Sequence, residues 1–183
     1  MTAIELVGNA LCLDFANTVN ARPVARRDWL STPEEAVTWA AAAGHPIGEP
    51  DGLAAALPDA RELREAVFRV FQPLAQGERA PQPDLDAVVA LHGDGVAHGR
   101  LEAAGGHFGF SWGTPRTMRI LLREVAASAV ELLTHGPLDR LGECPSCHWL
   151  FLDVSKNRRR RWCSMATCGS RDKSRRYYAG RSL

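Results

Sequence analysis

Four of the chain's five cysteines fall within residues 144–168, as Cys144-x2-Cys147, fifteen intervening residues, then Cys163-x4-Cys168. Two short-spaced thiol pairs separated by a hairpin-length segment supply the four soft ligands that Zn²⁺ takes at tetrahedral corners. The first pair, Cys144-Pro145-Ser146-Cys147, suits a tight turn whose backbone N–H groups point at the thiolates. Four thiolates leave no open coordination position, so one Zn²⁺ here is expected to be structural and not catalytic. Two disulfides or free core thiols are the competing reading, disfavoured by the spacing. His148, adjacent to Cys147, would have to swing to the same centre to replace a cysteine. Cys12, alone in Leu11-Cys12-Leu13, reads as a buried core thiol.

The second chemistry-bearing group is basic. Residues 143–183 hold ten Lys/Arg against three Asp/Glu, a net of +7, while residues 1–142 hold twelve against eighteen, a net of −6. Four thiolates with one Zn²⁺ bring the tail nearer +5. A split this sharp points to a polyanion-binding tail on an acidic body. Arg158, Arg159, Arg160 and Arg161 would place guanidinium groups on both faces of a strand. Arg171, Lys173, Arg175 and Arg176 follow on a helix whose start the metal holds, and such a helix can lie in or along a DNA major groove. Against this, some arginines can be merely solvated or can neutralise the thiolates, and Asp153 is expected to pair with one of them. The residues alone do not separate DNA from RNA, nor a nucleic acid from an acidic protein partner docked by the finger.

These groups need elements to position them. In the tail, 149–152 reads as a short buried strand, Ser155–Arg158 as a turn, 159–162 as the returning strand, and 169–178 as a helix, the order of a treble-clef zinc finger. Upstream, Thr32-Pro33-Glu34-Glu35 is a helix start with a capping box, running to about Ala43. Leu63, Val67, Val70 and Phe71 predict a helix over 59–72 that Pro73 ends or kinks. A third helix is expected over 83–92. Thr114-Pro115 is expected to open the longest one, which Gly136 and Pro137 close. Between these last two helices the period drops to two. Leu101 and Ala103, then Phe108, Phe110 and Trp112, flank Gly105-Gly106 as a β-hairpin. The expected class is α+β: a mainly helical N-terminal domain with a β-hairpin over 1–140, and a small zinc finger over 141–183. Cys163→Ser is expected to unfold the finger and spare the body.

Catalysis finds no support. The chain has no nucleophile elbow, phosphate loop or dinucleotide fingerprint, and its histidines show no metal spacing, so no enzyme is expected. Asp14, Asn17 and Arg22, with Thr18, interrupt an apolar N-terminal run; they can line a small-ligand pocket or cap helices and satisfy buried backbone. No run is long enough to span a membrane and no basic-then-apolar start marks secretion, so a cytoplasmic protein is expected.

The tail resembles the CGNR-type zinc finger, through Cys144-Pro145-Ser146-Cys147, Phe151-x-Asp153-x-Ser155-x-Asn157-Arg158, Arg161-Trp162-Cys163-Ser164-Met165 and Cys168-Gly169-x-Arg171. Ser170 stands where the naming motif has asparagine. The body is similar to the ABATE domain that usually precedes this finger, through Leu11-Cys12-Leu13-Asp14-Phe15-Ala16-Asn17-Thr18 and Trp29-Leu30-x-x-Pro33. The resemblance implies a bacterial transcription regulator responding to stress, with the finger on DNA and the front domain binding a small ligand.

Overall fold

The apolar run around Cys12 folds as a short helix, α1 (Leu11–Ala16), with Cys12, Leu13, Phe15 and Ala16 all buried. This computed structural model describes residues 4–20, 22–23, 27–48, 52–114 and 116–179, except the side chains of Ala104, Arg176 and Ala179. A two-residue pair, β1 (Val19–Asn20) and β2 (Arg27–Asp28), follows antiparallel. Then comes α2 (Pro33–Ala42), whose cap Thr32 accepts the Glu35 N–H at 3.3 Å with Pro33 in the first turn. Trp39 of α2 meets Phe15 edge-on at 5.6 Å between ring centroids.

The next helix, α3 (Leu53–Ala75), is longer than its periodic stretch and passes through both Pro58 and Pro73. Pro73 removes one N–H and ends nothing, because Gly77, at φ +77°, supplies the left-handed stop. There Glu78 N–H reaches the Pro73 carbonyl and Gly77 N–H the Leu74 carbonyl, the paired bonds of a Schellman motif. A fourth helix, α4 (Gln82–His98), extends beyond the expected 83–92. The hairpin β3 (Arg100–Ala104) and β4 (His107–Ser111) follows, joined by Gly105 and Gly106. The helix expected to be the longest, α5 (Met118–His135), has 18 residues against 23 in α3, and it begins at the Thr117 cap and not at Thr114; Pro115 lies outside the described residues.

Leu121, Leu122, Val125 and Leu132 of α5, with Leu63, Val67, Val70 and Phe71 of α3, form the core against α1. Each such fully buried side chain contributes roughly 1.5–3 kcal/mol of transfer free energy. The class is α+β, helices with short antiparallel strand pairs.

The last strands are β5 (Leu141–Glu143) and β6 (Leu150–Leu152), paired antiparallel, with the first cysteine pair at their connection. A five-residue π-turn, Met165–Gly169, leads into α6 (Ser170–Ala179). The expected strand over 159–162 does not form, and β6 has no room for it. The far edge of β6 is already taken by the body. Gly8 accepts the Leu152 N–H at 2.9 Å, Asn9 donates to the Leu152 carbonyl at 2.8 Å, and the Asn17 amide spans both peptide groups of Leu150. The sheet hairpin therefore encloses the first cysteine pair instead of separating the two pairs. Leu141, Leu150 and Leu152 point into the same apolar core as α1, α3 and α5.

Candidate metal centre and its basic surroundings

Cys144 and Cys147 sit on a knuckle closed by backbone bonds: Cys144 N–H to the Trp149 carbonyl (2.8 Å) and His148 N–H to the Cys144 carbonyl (2.9 Å). His148 takes φ +59° to make this turn. Its ring nitrogen meets Glu143, which turns the imidazole away from the sulfurs. Cys168 lies in the π-turn, where the Ser164 hydroxyl accepts from Thr167 N–H (3.3 Å) and Gly169 N–H reaches the Ser164 carbonyl (3.0 Å). Gly169 is needed there, because a Cβ would sit 3.0 Å from the Met165 sulfur and 3.3 Å from Trp162.

The four sulfurs lie within 4.8 Å of one another and all four residues are buried. Cys147 and Cys163 are 3.4 Å apart and Cys163 and Cys168 3.6 Å. A disulfide needs about 2.0 Å, whereas a ZnS₄ tetrahedron with bonds of about 2.3 Å has edges of about 3.8 Å. The donor set fits one Zn²⁺ and no cross-link. The neighbouring Cys144 thiolate, with burial added, pushes the Cys147 and Cys163 thiols up, so protons compete with the metal for these sulfurs. Trp149, Phe151 and Trp162 wall the cluster. The remaining cysteine, Cys12, is a buried core thiol pushed up to about 12 by burial.

The basic residues around this centre divide by role. Arg160 is a framework residue. Its guanidinium donates to the carbonyls of Val7 (3.0 Å), Leu152 (3.3 Å), Trp162 (3.1 Å) and Cys163, and lies 4.4 Å over the Phe151 ring. Its N–H bonds Asp153, whose other oxygen takes the Ser155 N–H. The Ser155 side chain first, and then the Arg160 N–H, hold the Asp153 carboxyl below the usual carboxylate range. The acid thus binds backbone N–H groups and not the guanidinium expected of it. Arg158 forms an exposed pair with Asp139 at 2.9 Å. Arg159 and Arg161 are exposed, Arg161 lying 5.0 Å from the Trp162 ring; they flank an open depression of about 530 Å³ with Lys156 and Met165. Arg171, Lys173 and Arg175 are exposed on α6, and the side chain of Arg176 lies outside the described residues. Arg171 and Arg175 share an open groove of about 810 Å³ with the hydroxyls of Ser146, Ser170 and Ser174.

The three residues read as a ligand pocket serve the fold instead. Asp14 accepts the Gly8 N–H at 2.8 Å; burial raises its carboxyl above the usual range, partly offset by that bond. Asn17 holds Leu150. Arg22 pairs with Glu65 (2.7 Å), donates to the Ala16 carbonyl (2.7 Å) and lies 3.7 Å over the Phe68 ring. The contacts that reasoning from residues missed are those between body and finger. Trp149 donates to the Val19 carbonyl (2.7 Å), and Arg22 N–H reaches the Cys147 carbonyl (3.3 Å). No helix of the described residues is long and apolar enough to cross a membrane.

Known families agree with this geometry. Residues 140–181 match the CGNR zinc finger, and residues 9–136 match ABATE, described as "Putative stress-induced transcription regulator". No curated protein matches the chain. The chain accordingly belongs to the ABATE family, and its four clustered cysteines lie in the segment that matches the CGNR zinc finger.

Proposed function

We propose that this chain is a transcription regulator whose zinc-organised finger, a treble clef in its order of knuckle and terminal helix, binds the phosphate backbone of duplex DNA. The observation that carries the reading is the groove beside α6. There Arg171 and Arg175 lie one helical turn apart and line the same open channel as Ser146, Ser170 and Ser174. Guanidinium groups and hydroxyls are the usual donors to phosphate oxygens, and the metal at Cys168 fixes the start of the helix that bears them. Lys156, Arg159, Arg161, Arg171, Lys173 and Arg175 are among the exposed cations of this surface. With four thiolates in the donor set, a bound Zn²⁺ would keep no open position for substrate, and in this reading its role is structural.

The test is fluorescence anisotropy of a mixed-sequence duplex against the zinc-loaded protein across a salt series. Each phosphate contact is expected to weaken binding about three- to four-fold between roughly 50 and 200 mM salt, so five contacts give several hundred-fold. Binding should vanish when a chelator removes the zinc. Absence of binding at low salt with zinc present overturns the reading in favour of a protein partner, and preference for an RNA duplex would redirect it to RNA.

The crevice of about 160 Å³ that touches Glu5, Asn20 and Trp29 is lined also by Cys147, Cys163 and Cys168, so it is the recess of the metal site and lends no support to ligand sensing by the body.

A further inference from the structure

The hairpin β3–β4 stands away from the core, with Phe108 70%, Leu101 62% and Phe110 44% exposed. Its register sets Leu101 opposite Phe110 and Ala103 opposite Phe108, so these four share one face. Arg100 opposite Ser111 and Glu102 opposite Gly109 share the other. The base of the hairpin is fixed: Phe110 stacks on Trp112 at 6.0 Å, and the Trp112 indole donates to the Gly95 carbonyl at 2.7 Å. Gly99 makes this joint possible, since a Cβ there would lie 2.8 Å from Phe110 and 2.9 Å from Trp112. The hairpin is thus held in place yet remains a two-stranded sheet, which is marginal in water alone and has edges open to another strand.

The turn decides which peptide groups face outward. Gly105 (φ +56°) and Gly106 (φ +91°) form a two-residue turn of the I′ kind. The flanking pair Ala104 and His107 is then the hydrogen-bonded one, and by alternation Leu101 and Ala103 turn their N–H and C=O groups away from β4.

We propose that β3 pairs antiparallel with β3 of a second copy of this chain, about a two-fold axis at Leu101. In that register the outward peptide groups of Leu101 bond their equivalents, and the apolar faces of the two hairpins join into one. Arg100 of each copy falls opposite Glu102 of the other, twice per dimer. Among the described residues neither Arg100 nor Glu102 makes an ion pair within its own chain. Two like charges at these positions would repel a second copy; one of each sign, two residues apart, is self-complementary about the axis. The interface is isologous and closed, so it stops at a dimer. This inference does not depend on what the finger binds.

The experiment is sedimentation equilibrium of the zinc-loaded full chain over a concentration series. A monomer–dimer equilibrium is expected. Glu102→Arg and Arg100→Glu should each weaken it by roughly tenfold or more, because each reverses two symmetric contacts. The double reversal should restore it. These side chains are exposed, so circular dichroism should not move, nor should Tm at concentrations below the dimerisation range. A chain that stays monomeric throughout, or a dimer indifferent to both single reversals, overturns the proposal. The second result would place the contact elsewhere, for example at the β4 edge through Phe108 and Phe110.

Discussion

Asn17 shows how one side chain can stand in for a strand. Its amide oxygen accepts from Leu150 N–H at 2.9 Å and its nitrogen donates to the Leu150 carbonyl at 2.8 Å, all in a buried setting. Asn17→Asp keeps the shape but loses the donor and brings a charge against a carbonyl. A cost of about 3 kcal/mol or more is expected, read as a lower denaturation midpoint. A second contrast separates framework from binding arginines. Arg160 satisfies four backbone carbonyls, so Arg160→Ala should cost about 2–4 kcal/mol of stability. Arg171→Ala should leave the midpoint unchanged, weaken duplex binding at low salt, and lower the salt slope by about 0.9, so that the loss of affinity between roughly 50 and 200 mM salt is about three- to four-fold smaller. Should Arg160→Ala leave the midpoint where it is, the carbonyl cage does not hold the finger together.

At the scale of elements, the ligand set was legible because it is local: four cysteines within one short segment, with spacings that fit only a few chemistries. The Thr32 cap and the α5 face were legible for the same reason. What was not legible were partners far along the chain. The edge of β6 is filled by Asn17, 133 residues away, and periodicity cannot report that, so a returning strand was expected where Arg160 caps carbonyls instead. Pro73 misled because its local effect was weighed without the Gly77 stop four residues on. The element that depends most on the metal is α6, which starts two residues after Cys168. Zinc binding requires thiolates, and the pair held up by Cys144, Cys147 and Cys163, keeps its protons most tightly. A bound metal displaces these protons, and its contribution is lost as pH falls and protons reclaim the sulfurs. Acidification to roughly pH 5 is expected to release zinc to a colorimetric chelator together with loss of α6 helicity. Retention of the helical signal after zinc release would show that α6 holds without the metal.

For the whole molecule the question is whether body and finger unfold together. The length and charge of the tail suggest a separable module, and from them Cys163→Ser would be expected to spare the body. The packing argues the reverse. Leu141, Leu150 and Leu152 sit in the core formed by α1, α3 and α5. Asn9, Asn17 and Gly8 are bonded to β6, and Val7 and Val19 carbonyls take donors from Arg160 and Trp149. Removing three leucines from that core would forfeit about 1.5–3 kcal/mol each, a large part of the 5–15 kcal/mol typical of a domain. The zinc-loaded chain should therefore melt in one calorimetric transition, with calorimetric and van't Hoff enthalpies in agreement. Cys163→Ser, or a chelator, should lower the midpoint of the body's helical signal as well as that of the finger. The same coupling gives a route by which a change at Asn20 or Trp29 reaches Arg171, since these residues line one recess together with Cys147, Cys163 and Cys168. Two separate transitions, with the body's midpoint unmoved by chelation, would show that the shared core is too small to couple them and that any signal to α6 must travel another way.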